Sequence, residues 1–266
     1  MKSLLVSLAL LLIQPHVQHA TAQTDSVAAV VPTSSTKPMP FGVGERMEYV
    51  AKIGFQHVGR GSMETVGIED IRGKQAVHTR FQLKGRALFY SANYLLESWV
   101  DQATFTSLRF TQDNDDDASE KDKVYEIFPD RQMYQVNSGP ELPSVADPLD
   151  EGALLYFVRT MDLEVGKTYT LNRYFRPDRN PVIVKVIKHE TVTLPAGKYN
   201  TIVIQPIIKS KGIFSEKGQA LIWLSDDKDR VMVQMRVRLS VATINLQLTK
   251  HIPASNGPDG PPNTPP

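Results

Sequence analysis

No cysteine occurs among the 266 residues. Disulfides, thiolate metal sites and a lipid joined through a cysteine are therefore all excluded. Neither sign of charge is in excess: 30 Lys and Arg against 29 Asp and Glu leave +1. A chain so balanced has no broad field with which to draw nucleic acid, and nucleic-acid binding is rejected. Long apolar runs are missing too. The run from Leu4 to Ile13 is too short for a stable span, and nothing later approaches the roughly 20 apolar residues a membrane helix needs. There is no G-x-S-x-G elbow, no glycine-rich phosphate loop and no dinucleotide fingerprint, so the motifs that announce common enzymes are absent. Tryptophan is scarce, with only Trp99 and Trp223.

The two ends of the chain read as processing and linker segments. Met1-Lys2-Ser3 is a short basic start, the apolar run follows, and Ala20-Thr21-Ala22 has the small-x-small pattern of a signal-peptidase site. Residues 1–22 are thus expected to be a signal peptide cleaved after Ala22, and the mature chain a periplasmic protein not integral to the membrane. Residues 23–40, rich in Ser, Thr and Pro, read as a flexible leader, and 252–266, dominated by Pro, Gly and Asn, as a disordered tail. That leaves 41–251 as a single β-rich domain. With 41% apolar residues in the whole chain, a sizeable core is within reach.

Alternation of apolar and polar residues marks most of this body as strand. Met47, Tyr49, Ala51, Ile53 and Phe55 alternate with Arg46, Glu48 and Lys52, the period of a half-buried strand. Further strands are expected at 62–66, 75–83, 90–101, 106–111, 123–128, 131–136, 168–175, 182–194, 199–209, 219–224 and 230–248. The links are short, so antiparallel pairing follows. In the last segment the apolar phase passes from odd positions (Val231 to Val241) to even ones (Ile244, Leu246, Leu248). A β-bulge near Ala242-Thr243 would account for the change. One segment departs from the pattern: 147–161 is expected to be a helix with Asp147 as N-cap and Pro148 at its first position. Its apolar residues cover most of the circumference, and such a helix is normally buried. The expected architecture is mainly β, one large, strongly curved antiparallel sheet (barrel-like, half-barrel or spiral) with one buried helix near 147–161.

Gly44-Glu45 with Tyr49, Asp147-Pro148-Leu149 leading to Arg159, Glu190 with Pro195 and Gly197, and Trp223-Leu224-Ser225-Asp226-Asp227 together resemble domain-of-unknown-function family number 3108. The resemblance implies an exported, β-rich protein of Gram-negative bacteria without an assigned activity, and it supplies no catalytic residues.

Tests for site chemistry return mostly negatives. Asp113, Asp115 and Asp117 mimic the start of a calcium loop, but Ala118 and Val124 stand where Gly and Glu are needed. Outside the signal peptide, His57, His78, His189 and His251 lack metal-ligand spacing. No cofactor is called for. Arg159 stands out, because a guanidinium on a buried helix needs a carboxylate, with Glu190 and Glu45 as candidates, unless it reaches solvent. Tyr156, Trp99 and Trp223 are candidates for lining a ligand groove, or equally for the core. Arg236 and Arg238, with Lys185 and Lys209, form either a solvated face or a contact for anionic glycolipid. Three functions remain open: a noncatalytic binding or envelope-maintenance protein holding a lipid, peptide or polysaccharide segment; an envelope glycan or ester hydrolase; and a structural partner in an envelope complex. Partners are correspondingly a lipid, a glycolipid or an envelope protein.

Overall fold

A computed structural model of the chain describes residues 39–87, 90–114, 123–209, 214–215, 219–238 and 242–255. The segment read as a signal peptide, nearly all of the one read as a leader, most of the one read as a tail and the 115–122 part of the acidic stretch lie outside them. Fourteen strands form one antiparallel sheet that does not close. The first eight are β1 (Arg46–Ile53), β2 (Gln56–Ile71), β3 (Lys74–Ala87), β4 (Tyr90–Asp101), β5 (Ser107–Asn114), β6 (Lys123–Phe128), β7 (Met133–Val136) and β8 (Glu141–Pro143). Helix α1 (Glu151–Thr160) follows, then β9 (Thr168–Leu171), β10 (Val182–Leu194), β11 (Gly197–Ile207), β12 (Leu221–Ser225), β13 (Met232–Arg238) and β14 (Thr243–Ile252).

The spatial order is β8-β7-β6-β5-β4-β3-β2-β1-β14-β13-β12-β11-β10-β9. Every strand lies beside its sequence neighbours except β8 and β9, the first and last strands pair in the middle, and the opening falls between β8 and β9, on either side of α1 in sequence. Alternation explains the faces. Met47, Tyr49 and Ala51 of β1 are buried with Met63 of β2, Phe81 of β3 and Leu246 and Leu248 of β14. Register shifts at Glu48/Tyr49, Ala51/Lys52, Thr65/Gly67, Trp99/Val100, Val186/Lys188 and Trp223/Leu224 bend the sheet around its core.

Several boundaries differ from expectation: β2 is longer than 62–66, β8 is not among the expected strands, and three further differences have a visible cause. The segment 230–248 is two strands, with Arg238 opposite Thr243 and Met235 opposite Leu246. Directly opposed residues share a face, and here odd residues oppose even ones, so the phase change marks a chain reversal and not a bulge. The helix begins four residues later than Asp147. Its N-cap is Asp150, whose side chain accepts from the Ala153 N–H at 2.8 Å. Asp147, Pro148 and Leu149 stay outside the helix because their backbone groups are used elsewhere. The Pro148 carbonyl accepts from the Ser107 N–H at 2.8 Å, and Leu149 bridges Tyr174 in parallel. The expected strand at 168–175 accordingly ends at Leu171, and 173–175 pairs with Leu149.

Helix α1 lies in the hollow of the sheet, with Glu151 through Arg159 all buried. Burying Leu154, Leu155, Tyr156, Phe157 and Val158 contributes on the order of 10 kcal/mol, an upper figure because unfolded chains already bury some surface. Beside it, Phe175 packs against Phe110, Tyr125 and Tyr134 with ring centres 5.1 to 6.2 Å apart. Segments 144–149 and 173–175 thereby span the interval between the two sheet edges with side chains and isolated backbone bonds.

Candidate functional site at the ends of the buried helix

Arg159 occupies the last turn of α1, where a cation suits the helix dipole. Its Nη1 donates to Glu45 Oε2 at 2.7 Å and its Nη2 to Glu45 Oε1 at 2.7 Å, a bidentate pair with side-chain exposures of 0% and 3%. The same Nη2 also lies 3.0 Å from the Pro40 carbonyl and 2.9 Å from the Asp229 carbonyl, donating to both. His251 Nε2 sits 3.3 Å from Glu45 Oε1. Phe41 lies under the guanidinium at 5.2 Å and Tyr156 at 5.8 Å. Burial pushes the Glu45 carboxyl up, but its bonds to Arg159 and His251 outweigh that and hold it below the usual carboxylate value. Burial likewise opposes the Arg159 charge, and Glu45 more than restores it. Of the two carboxylates considered for Arg159, Glu45 is beside it and Glu190 is not.

The neighbouring backbone is shaped for this contact. Gly44 adopts φ +84°, a conformation costly for other residues, as the chain turns into Glu45. In the β12–β13 turn, Asp227 Oδ1 accepts from Ser225 Oγ and from the N–H groups of Asp229 and Arg230, while Ser225 Oγ accepts from the Val231 N–H. This fixed turn aims the Asp229 carbonyl at Arg159. Within the run Trp223 to Asp227, Ser225 and Asp227 are thus accounted for by the turn they hold beside the helix.

The other end of α1 carries a second buried charge site. Asp150, fully buried, accepts from Ser98 Oγ at 2.6 Å, Ser107 Oγ at 2.7 Å and the Ala153 N–H. Burial raises its carboxyl to about 6, and these donors oppose the rise without cancelling it. Gly152 allows the close approach: a Cβ there would stand 2.4 Å from Ser98 Oγ. Tyr94 donates to Glu151 Oε2 at 3.1 Å. The helix is therefore pinned at both ends by ionisable groups away from solvent.

Trp99 and Trp223 lie on the opposite, outer face. Trp99 donates to Glu69 Oε2 at 2.8 Å, with the Arg109 guanidinium 5.7 Å from its ring and His78 stacked on it at 4.3 Å. Trp223 donates to Glu190 Oε2 at 2.7 Å, with Arg236 at 5.2 Å. Each indole N–H holds its carboxylate below the ordinary range. Along the ladder the order is the same twice: Arg109 on β5, Trp99 on β4 and Glu69 on β2, then Arg236 on β13, Trp223 on β12 and Glu190 on β10. The two indoles and Glu190 are thus separated by the sheet from Arg159, Glu45 and Tyr156, and the six do not form one groove. Asp150, Ser98, Ser107 and Asp229 are not singled out as site residues in the sequence, and His251 is weighed there only as a metal ligand.

Chemically, the carboxylates at both helix ends take their donors from inside the protein, while Arg159 Nε and the Tyr156 hydroxyl are buried without a hydrogen-bond partner among the described residues. Glu45, Asp150 and Glu151 are 3%, 0% and 2% exposed, which leaves no approach for a scissile bond. Among the described residues no three His, Asp or Glu side chains are grouped as metal ligands would be, and no helix is long and apolar enough to cross a membrane.

The model of a family described as "Protein of unknown function (DUF3108)" matches residues 48–249. The chain belongs to the DUF3108 family. Glu45 and His251, which meet inside at Arg159, fall just beyond the two ends of the match. No curated protein matches this DUF3108 chain. Among solved structures, a β-barrel-like protein of domain of unknown function DUF1849 from Brucella abortus is similar at 11% identity and a TM-score of 0.48, covering 79% of this chain and 98% of that one. A hypothetical protein from Chlamydia trachomatis is similar at 9% identity and a TM-score of 0.33, covering 85% and 96%.

Proposed function

We propose that this DUF3108 protein is exported by the signal peptide at 1–22 and serves in the periplasm of a Gram-negative bacterium as a noncatalytic envelope-maintenance scaffold. Its working surfaces in this reading are the outer face and the hairpin ends of a single domain at 41–251, set between a flexible leader and a Pro-rich tail. One observation carries the reading: α1 is buried from Glu151 to Arg159 and held at both ends by charges that only a filled interior leaves paired. A carrier needs a cavity of several hundred Å³. The recess beside the helix, lined by Phe41, Val77, Phe105 and Tyr156 among others, has about 10 Å³, room for one water. The groove imagined for a lipid or polysaccharide segment is, along the helix, occupied by the protein's own side chains.

The test is native mass spectrometry of protein recovered from the periplasm. The expected result is a bare chain beginning at Gln23. A stoichiometric acyl or glycan ligand would overturn the scaffold reading, and a retained leader segment would overturn the export assignment.

A further inference from the structure

The chain's net charge conceals a one-sided distribution at the end of the sheet away from the helix. The β1–β2 hairpin turns there through Gly54 and Phe55, and Phe55 is completely exposed, at 102%. The strand ends around it carry Lys52, Arg60, Lys84, Arg86, Arg236 and Arg238, while 49–63, 81–96, 232–238 and 243–249 contain no Asp or Glu. Along the same strands the described acids begin only at Glu48 on β1 and Glu64 on β2, and Asp113 is on β5, beyond β3 and β4. Arg60 stands directly opposite Lys84 in the β2–β3 register. Both are exposed, and neither has an ion pair. Like charges set directly across a ladder destabilise it, and among the described residues no carboxylate pairs with either, so a counter-charge from outside would relieve the pair. Where the protein pairs its outer-face cations for stability it does so readily, as Arg46 with Glu64 and Arg80 with Glu97 show one or two turns of the ladder away.

We infer that this hairpin end docks on an anionic lipid bilayer, with Phe55 entering the acyl boundary and Arg60, Lys84 and the neighbouring cations meeting lipid phosphates. A soluble polyanion would satisfy the cations equally, but it offers nothing to a fully exposed phenyl ring at the tip. A bilayer satisfies both, since aromatic side chains favour its interface and basic clusters bind its negative surface. The membrane reached depends on the export reading proposed above; the binding itself does not.

The experiment is vesicle co-sedimentation of residues 23–266, with vesicles of phosphatidylcholine alone and with about one third phosphatidylglycerol. Expected is binding to the anionic vesicles only, weakened about tenfold or more by Arg60→Gln with Lys84→Gln, and about fivefold by Phe55→Ser. Thermal melting keeps folding in view, because removing opposed like charges leaves stability unchanged or raised. No binding to anionic vesicles would overturn the inference. Binding indifferent to Phe55→Ser and displaced by soluble polyphosphate would also overturn it, in favour of a soluble polyanion. Neither result bears on whether the interior holds a ligand, which the mass measurement decides separately.

Discussion

Replacing Arg159 with Met should be among the most damaging single changes in the domain. The substitution removes the 2.7 Å donors from both Glu45 oxygens and leaves that carboxylate at 3% exposure with only His251, at 3.3 Å. It also strips donors from the Pro40 and Asp229 carbonyls. Breaking a buried pair from one side costs about 3–5 kcal/mol, against under about 1 kcal/mol for an exposed pair. For a domain of this size that lowers the melting temperature by about 10 °C. Urea unfolding at pH 7 and pH 5 provides the assay. In the parent protein the Glu45 carboxyl lies below its unfolded value of 4.5, so its contribution is complete above that value and is lost as pH falls through the folded one. In the variant, burial prevails and raises the same carboxyl, so the deficit should shrink between pH 7 and pH 5. Adding Glu45→Leu should restore all but about 1–2 kcal/mol, the remainder being the two carbonyls left without donors. A single variant within about 1 kcal/mol of the parent, or a deficit that grows on acidification, would refute the reasoning.

Asp150→Asn keeps the helix cap but removes a carboxyl displaced from 3.8 to about 6. The parent should lose roughly 2 kcal/mol of stability as pH rises from 4 to 6, because the folded state holds the proton longer, while calorimetry of the variant should give a flatter profile over that range. Gly152→Ala would gain about 1 kcal/mol by helix propensity alone, yet its Cβ would meet Ser98 Oγ at 2.4 Å. A net loss of about 2 kcal/mol in urea unfolding is expected, and a stabilised variant would show that the contact yields. Gly59→Ala would place a Cβ 2.2 Å from the Lys84 carbonyl, so hydrogen exchange should quicken where Gly59 faces Gly85, at the open end of the β2–β3 ladder, while the β10–β11 ladder keeps its protection.

What the sequence disclosed follows from the range of the interactions concerned. Strand alternation and the all-round apolar helix are local, and both survive into the structure. Arg159 could be singled out as a problem needing a partner, because a charge on an apolar helix is visible from its neighbours alone. Which carboxylate answers it was not legible: Glu45 and Glu190 are both distant in sequence, and only the placement of β1 at the centre of the sheet brings Glu45 to the helix. The reversal between β13 and β14 reads as a bulge in the sequence because Leu239-Ser240-Val241-Ala242 lacks the Gly, Asn or Pro that normally punctuates a turn. The helix start was misplaced for a similar reason. Asp147-Pro148 carries the stronger local signal, and the backbone bonds from Ser107 and Tyr174's neighbours that override it come from remote segments. The tryptophans' outer position required the register of four strands at a time.

The pairing of β1 with β14 places residue 46 opposite residue 252, which has a consequence for how the molecule can form. A chain that emerges from a ribosome or a translocation pore does so with its amino end first. Its earliest strand then acquires one neighbour within a few residues and waits about two hundred residues for the other. Until the final strand arrives, β1 keeps a bare edge, and His251 has not reached Glu45. Sheets completed by such distant contacts are slow to form. Assembly of this one is therefore held back until the whole domain has passed through, so the fold enforces its own delay.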